Sequence, residues 1–295
     1  DIALRQTLMD YDRRHGYRGP VKTLKNFNDW KKKLAEIEKT VPLFDEQQLA
    51  IVELVEEKSV DLLFADSSKG AISLKELKWA RRPIGINKVG DTIKKAADVL
   101  MRGDVVIVTP IAKKKDADEE AKNLTATYKL LQIPKVNGGL VVMDPHSGRV
   151  LAMSGGYSAM GSEFNRVTQA KRQPGSAFKP FVYLAGLESG LTPATLVLDA
   201  PISIPQGPGL PNWTPQNYSG DFLGNVTMRM GLEKSRNAMT VYLASQLGIG
   251  SIKEVSKRFG IYNDMPPRYS AVLGSLETTL IDLVNAYAMI VNGGK

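Results

Sequence analysis

The feature that most restricts how this chain can fold is a change of character at Pro134-Lys135. Before it the sequence is rich in Lys and Glu, and short apolar runs alternate with polar turns. After it come clustered Gly and Pro, Ser-rich loops and denser apolar runs, several at helical spacing. A chain of 295 residues forms about two domains, and the break predicts a boundary close to residue 135.

Upstream of the break, residues 1–14 predict a helix with Ile2, Leu4, Leu8 and Met9 on its apolar face, stopped by Gly16 and Gly19-Pro20. Asn28 to Lys39 predicts a short polar helix. Apolar strand patterns follow within Asp45 to Leu63, at Gly70 to Leu74, at Gly103 to Val108 and at Tyr128 to Ile133, with a helical turn at Leu74 to Leu77. Several short strands within about 90 residues suggest a small β-barrel of the OB type. Downstream, Gly139 to Met143 and Arg149 to Met153 flank Asp144-Pro145-His146-Ser147-Gly148 and read as a β-hairpin. Helices are predicted at Ser176 to Leu187, Val226 to Lys234, Ala238 to Leu247 and Leu276 to Val291. Strands followed by many helices indicate an α+β domain with helices packed on one sheet.

Composition removes several classes of chemistry. There is no cysteine, hence no disulfide framework and no thiol nucleophile. Two histidines leave little from which to build a His-ligated metal site, and no cofactor is expected. The net charge of +8 is spread thinly along the chain. Lys31-Lys32-Lys33 and Lys113-Lys114-Lys115 are read as solvated surface, and no nucleic-acid partner is expected. No apolar run reaches the roughly 18 residues a membrane span needs. The chain opens on Asp1 without a signal sequence and is expected to be a piece of a longer polypeptide, with any anchor outside it. His146 in a turn and His15 near Gly16 are not placed to serve a Ser-His-Asp triad, and no phosphate loop is present.

Two short constellations can carry chemistry. Ser176-Ala177-Phe178-Lys179 is an S-x-x-K, whose first and last residues share a helix face about 5–6 Å apart. A serine hydroxyl needs a base, and a lysine can be that base where burial or a nearby cation lowers its proton affinity. Ser235-Arg236-Asn237 is an S-x-N between two predicted helices, able to relay a proton and hold a carbonyl, or simply to cap a helix. With 18 serines, 25 lysines and 13 asparagines, chance supplies about 1.5 of the first spacing and about 0.8 of the second. Their order in one domain, each at a helix boundary, is what raises them above chance.

The surrounding residues add more. Phe164-Asn165-Arg166, Ala170 to Phe181, Gly139 to Gly156, Trp213-Thr-Pro-Gln-Asn217, Gly231 to Asn237, Leu273-Gly-Ser275 and Ala286 to Gly294 together resemble the active-site region of class A penicillin-binding proteins. Tyr11 to Pro20 resembles the start of the transpeptidase region in Gram-negative members, and residues 43–133, with Leu77 to Arg81 and Gly103 to Val106, resemble their OB-like insert. The resemblance implies three segments: 1–42 an N-terminal transpeptidase segment and linker, 43–135 an OB-like domain, and 136–295 a partial penicillin-binding domain of serine-transpeptidase, β-lactamase-like fold.

It further implies a D,D-transpeptidase that cross-links peptidoglycan stem peptides and is acylated by β-lactams. Ser176 is then the nucleophile, Lys179 its base and Ser235 the proton relay, with Asn237, Trp213 and Asn217 on the substrate. The family's third motif, K-[T/S]-G, occurs nowhere in the chain. The expectation is therefore a fold incomplete at its C-terminal end that needs the C-terminal remainder of the polypeptide. A glycosyltransferase domain, a single-pass anchor and an address on the periplasmic side of the inner membrane are implied for the full-length protein, with cell-wall synthesis proteins as possible partners. Two rivals remain. A class A β-lactamase shares both motifs, but would read Ser-Asp-Asn where Arg236 stands and would need a deacylating Glu, for which Glu188 is poorly placed. An OB-type binding module would need aromatic stacking platforms, and between 41 and 135 only Phe44, Phe64, Trp79 and Tyr128 are available.

Overall fold

The structure, a computed structural model, describes residues 1–111, 126–205, 209 and 211–294. The Lys113-Lys114-Lys115 run lies outside the described residues. The chain divides into two compact units, Asp1–Gly138 with Gly156–Glu163, and Gly139–Gly155 with Phe164–Lys295.

In the first unit, α1 (Ile2–Arg14) buries Leu4, Leu8 and Asp12, one helical face, and leaves Ile2 in solvent. β1 (Lys22–Thr23) and α2 (Trp30–Glu38) follow. Next come β2 (Gln48–Val55), β3 (Ser59–Leu63), β4 (Lys69–Ser73) and the single turn α3 (Leu74–Leu77). A small ribbon of β5 (Pro83–Gly85) and β6 (Lys88–Val89) precedes β7 (Asp104–Pro110) and β8 (Ala126–Leu131). The main sheet runs β1-β7-β2-β3-β4-β8, and β8 pairs with β7 as well as β4, which closes it into a barrel.

The nearly continuous apolar runs of β2 and β7 have a simple cause: both of their faces are covered. Ala50, Val52, Val106 and Val108 point into the barrel with Leu62, Ile72 and Leu130. The alternate residues Leu49, Ile51, Val105 and Ile107 pack outward against Leu34 and Ile37 of α2. Residues 1–42, expected as segment and linker, thus add a strand and a covering helix to the barrel unit.

A buried carboxylate fastens the barrel's exit. Asp12, 3% exposed, accepts hydrogen bonds from Arg18 at 2.9 Å, Gln132 at 2.7 Å and the Lys135 N–H at 3.1 Å. The excursion 156–163 is held in the same unit. The Tyr157 ring meets Phe44 edge-on at 5.4 Å, Arg5 donates to the Tyr157 carbonyl at 3.1 Å, and the Tyr157 N–H donates to Asn137 at 2.9 Å. The four aromatics that a base-stacking groove would require are packed against protein. Phe64 lies against Tyr128 at 4.8 Å, Trp79 against Tyr17 at 5.7 Å, and Phe44 against Tyr157.

In the second unit, β9 (Leu140–Met143) and β10 (Val150–Ser154) form the predicted hairpin. A 3-10 turn, Gly175–Phe178, leads into α4 (Lys179–Glu188). A second ribbon, β11 (Leu196–Asp199) with β12 (Gly224–Thr227), precedes α5 (Met228–Glu233), α6 (Asn237–Leu247), α7 (Ile249–Arg258) and α8 (Leu280–Val291). α4 is the central helix. Its Phe181, Val182 and Ala185 pack with Met239, Leu243 and Ala244 of α6 and Ile252 and Val255 of α7.

Three boundaries differ from expectation, each for a local reason. Val226 and Thr227, expected in a helix, finish β12, and the helix starts behind the Thr227 hydroxyl, which accepts from Met230 N–H at 3.2 Å. The last helix starts at Leu280, because Thr278 is held in a bridge to Arg172 and Thr279 caps the helix. Gly248, read as a stop, both ends α6 and opens α7 at φ +77°. Among the described residues no helix is long and apolar enough to cross a membrane.

Candidate active site

The helix expected to begin at Ser176 does not. Pro180 has no N–H to donate to the Ser176 carbonyl, so an α-turn cannot close there. The Lys179 N–H donates to Ser176 O instead, which makes the turn 3-10. Pro180 then sits in the first turn of α4, where a missing N–H costs nothing. In a 3-10 turn residues i and i+3 eclipse, so Ser176 and Lys179 share one side of the chain.

This turn is fixed from three directions. Gly175 takes φ +56° and donates its N–H to Gly274 O at 3.1 Å. The Tyr287 hydroxyl of α8 donates to Ala177 O at 2.8 Å. Phe178, fully buried, packs on Tyr262 at 5.1 Å and Phe181 at 5.9 Å. The outcome is an exposed Ser176 beside Lys179, whose exposure is only 1%.

The Lys179 ammonium donates to the Ser235 hydroxyl at 3.0 Å, the Ser235 carbonyl at 2.6 Å and Asn237 Oδ1 at 2.6 Å. Its three protons thus have three acceptors. Burial, and secondly the Arg236 cation, lower its pKa from the ordinary lysine value to about 8. A nitrogen with that pKa is neutral in about a tenth of molecules at pH 7, the fraction able to act as a base. The Ser176 hydroxyl makes no hydrogen bond among the described residues, so the expected contact with Lys179 is not formed in this state.

Ser235 stands at φ +52°, a conformation uncommon outside glycine and one that marks a constrained position. It turns the chain so that Ser235 and Asn237 reach Lys179 while Arg236, between them, is buried on the opposite side at 6% exposure. Asn237 also donates through Nδ2 to the Gln216 carbonyl at 2.8 Å.

Of the two further residues expected at the substrate, Asn217 is buried and fully engaged, and Trp213 keeps part of its surface exposed. Asn217 is 4% exposed. Its Oδ1 accepts from the N–H groups of Asn237 at 2.7 Å and Ala238 at 3.2 Å, capping α6, and its Nδ2 donates to Asp199 and to the Asp221 carbonyl, both at 2.9 Å. Every valence of its amide is used, so it supports the site from behind. Trp213 is half-buried against the unit's core, with its backbone paired to Ile204. Glu188 ends α4 and pairs with Arg258 on α7.

Sequence reasoning missed Asp199 and gave Arg236 no task. The available signal was a carboxylate closing the apolar run Leu196–Leu198, where an unpaired charge is costly.

Comparison with known proteins adds a second line of observation. The family of the penicillin-binding protein transpeptidase domain matches residues 138–295, and that of the penicillin-binding protein OB-like domain matches residues 17–136. Penicillin-binding protein 1A of Rickettsia typhi is 46% identical over 293 residues, which is 99% of this chain and 34% of that protein. Penicillin-binding protein 1A of Pseudomonas aeruginosa is 35% identical over 295 residues, with the same coverage. The crystal structure of penicillin-binding protein 1A from Haemophilus influenzae superposes with a TM-score of 0.79 at 28% identity, covering 98% of this chain and 39% of that one. The chain spans about a third of the length of these curated relatives.

Proposed function

Because the chain belongs to the penicillin-binding protein transpeptidase family and carries its OB-like domain, we propose that it is the transpeptidase part of a peptidoglycan-cross-linking enzyme. Ser176 attacks the carbonyl of a D-Ala-D-Ala stem peptide and becomes acylated as D-alanine leaves. Neutral Lys179 takes the hydroxyl proton, and Ser235, hydrogen-bonded to Lys179, passes a proton to the departing amine. Asn237 holds the stem-peptide amide, with its own backbone fixed by Asn217. The amine of a neighbouring stem then attacks the ester, forming the cross-link and freeing Ser176. β-Lactams enter the same path and remain on Ser176.

One observation carries this reading: a lysine removed from water, with its proton affinity lowered, is held between the Ser and Asn of S-x-N one 3-10 turn from an exposed serine. Hydrolysis of the β-lactamase kind is disfavoured, since Glu188 is engaged with Arg258 at the far end of α4.

The third family motif, K-[T/S]-G, is proposed to come from chain outside these residues and to lie on a strand beside Ser176; the β9–β10 hairpin has room for further strands. That two-stranded sheet leaves Val142, Val150, Leu151 and Met153 exposed, and two strands alone are marginal. An anchor in the inner membrane, a periplasmic setting and contact with other cell-wall synthesis proteins belong to the same proposal.

The test is mass spectrometry, after exposure to penicillin, of the longer polypeptide that carries the K-[T/S]-G segment. A stable adduct on Ser176 is expected, absent in Ser176→Ala and at least about a thousandfold slower in Lys179→Ala. An adduct on another residue, or rapid penicillin turnover, would refute the assignment.

A further inference from the structure

Behind Lys179 lies an ion cluster, built on the buried Arg236–Asp199 pair, that the steps above leave without a task. Arg236 donates from Nε to Asp199 at 2.7 Å, from one terminal nitrogen to Asp221 and Ser219, both at 2.9 Å, and from the other to the Asp221 carbonyl. Asp199 is fully buried, and its two oxygens serve different ends. Oδ2 accepts from Arg236 and from the Leu223 N–H at 2.9 Å, while Oδ1 accepts from the Asn217 amide at 2.9 Å. Asn217 in turn holds the first two N–H groups of α6, those of Asn237 and Ala238.

We propose that Asp199 is a positioning residue of this site, fixing the Arg236 cation behind Lys179 with one oxygen and, through Asn217, the place of Asn237 with the other. The inference rests on the acyl-transfer reading and gives the blank letter of S-x-N a function. The chain alternates around Ser235, so the motif's outer residues face the base and its middle residue faces the ion cluster. A buried ion pair is a poor way to gain stability, because its desolvation cost rivals its attraction. Its value here is that it holds a charge at a set place.

The charge arithmetic gives the proposal its sign. Arg236 opposes protonation of Lys179, and Asp199 and Asp221 offset part of that field. Other charges on elements packed around α4 lie at the surface: Arg229 and Glu233 on α5, Glu254, Lys257 and Arg258 on α7, and Asp282 on α8. Lys253 on α7 is spent on Asp264. Tyr183 on α4 itself and Tyr262 and Tyr287 packed near it are held by burial above their ordinary phenol pKa, hence neutral.

The experiment is the pH dependence of Ser176 acylation by a fluorescent penicillin. In parallel, the ε-carbon of Lys179 is titrated by NMR in 13C-lysine protein, its signal assigned by loss in Lys179→Met. Removing the cation in Arg236→Gln should move both midpoints up by at least about half a pH unit. Removing an offsetting charge in Asp199→Asn or in Asp221→Asn should move them down. Asp221 is 59% exposed, so that variant folds even if Asp199→Asn does not. Asp199→Asn should also slow acylation at its optimum by more than tenfold. Rates that fall with no displacement of the midpoint, or midpoints that move the same way in all variants, would overturn the proposal. If wild type carrying the K-[T/S]-G segment forms no adduct, the acyl-transfer reading fails alone, and the NMR titration still decides the charge relation by its opposite shifts.

Discussion

Gly274 offers a sharp test of how the nucleophile is held. It stands at φ +74°, and a Cβ built on it would lie 2.2 Å from the Gly175 carbonyl oxygen, 2.6 Å from its nitrogen and 2.8 Å from its carbonyl carbon. All three are backbone atoms, so no side chain can swing away. Ordinary contact requires the two segments to part by about 1 Å, in an interior packed too tightly to absorb it without cost. The left-handed conformation adds about 1 kcal/mol for alanine. Gly175 precedes Ser176, and a misplacement of about 1 Å in a reacting group costs on the order of a hundredfold in rate, or about 2.7 kcal/mol. Gly274→Ala should therefore lower the second-order rate of Ser176 acylation by fluorescent penicillin about a hundredfold, with a modest loss of melting temperature. Gly190→Ala is the control: its φ is +88° with nothing within 4 Å of the new methyl, so it should carry the conformational cost and leave acylation unchanged. Acylation of Gly274→Ala at the wild-type rate would refute the claim that this contact sets the position of Ser176.

Lys179 also links stability to pH. Below about pH 8 it is charged whether folded or unfolded, and the fold bears the full cost of burying it. Between about 8 and the ordinary lysine value the unfolded chain still holds a proton that the folded chain has released, so stability rises with pH. Denaturant titrations across that window should show wild type gaining up to about 3 kcal/mol relative to Lys179→Met; parallel pH slopes would contradict this. Asn217→Ala removes the cap of α6 and leaves Asp199 short of a donor, and should cost about 2–3 kcal/mol by chemical denaturation. In the barrel unit, a methyl on Gly103 would meet the Leu24 carbonyl at 2.4 Å with φ at +92°. Gly103→Ala should therefore lower the barrel's melting temperature by several degrees in calorimetry while sparing acylation.

Much of this architecture is legible in the letters, and the exceptions have physical causes. The strands of the barrel announce themselves because β-branched residues recur where both faces are covered. The hairpin at 139–153 is written by Asp144-Pro145 and Gly148. The 3-10 start of α4 was available in principle, since Pro180 forbids the α-turn from Ser176, but the usual tolerance of proline near helix starts masked it. α7 escaped notice because Gly248 both stops one helix and begins the next. At the site, Ser176, Lys179, Ser235 and Asn237 were visible as two short spacings. The task of Arg236 was not, because its partners Asp199 and Asp221 lie 37 and 15 residues away and only the fold brings them together. Asn217 was legible as important and misread as to what it touches: an asparagine that caps a helix from another segment looks, in one dimension, like one that awaits a ligand.

The excursion at 156–163 bears on any attempt to dissect the molecule. The chain leaves the second unit after Gly155 and rejoins it at Phe164, so a single cut beside Gly138 does not separate two self-sufficient pieces. A fragment starting at 139 would carry Tyr157, 5% exposed in the whole chain, without Phe44, Arg5 or Asn137. It would open a sticky aromatic surface and strand two backbone hydrogen bonds. Proteolysis or truncation here trades a tidy boundary on paper for an aggregating product, and a clean dissection requires replacing the whole 156–163 loop with a short polar bridge.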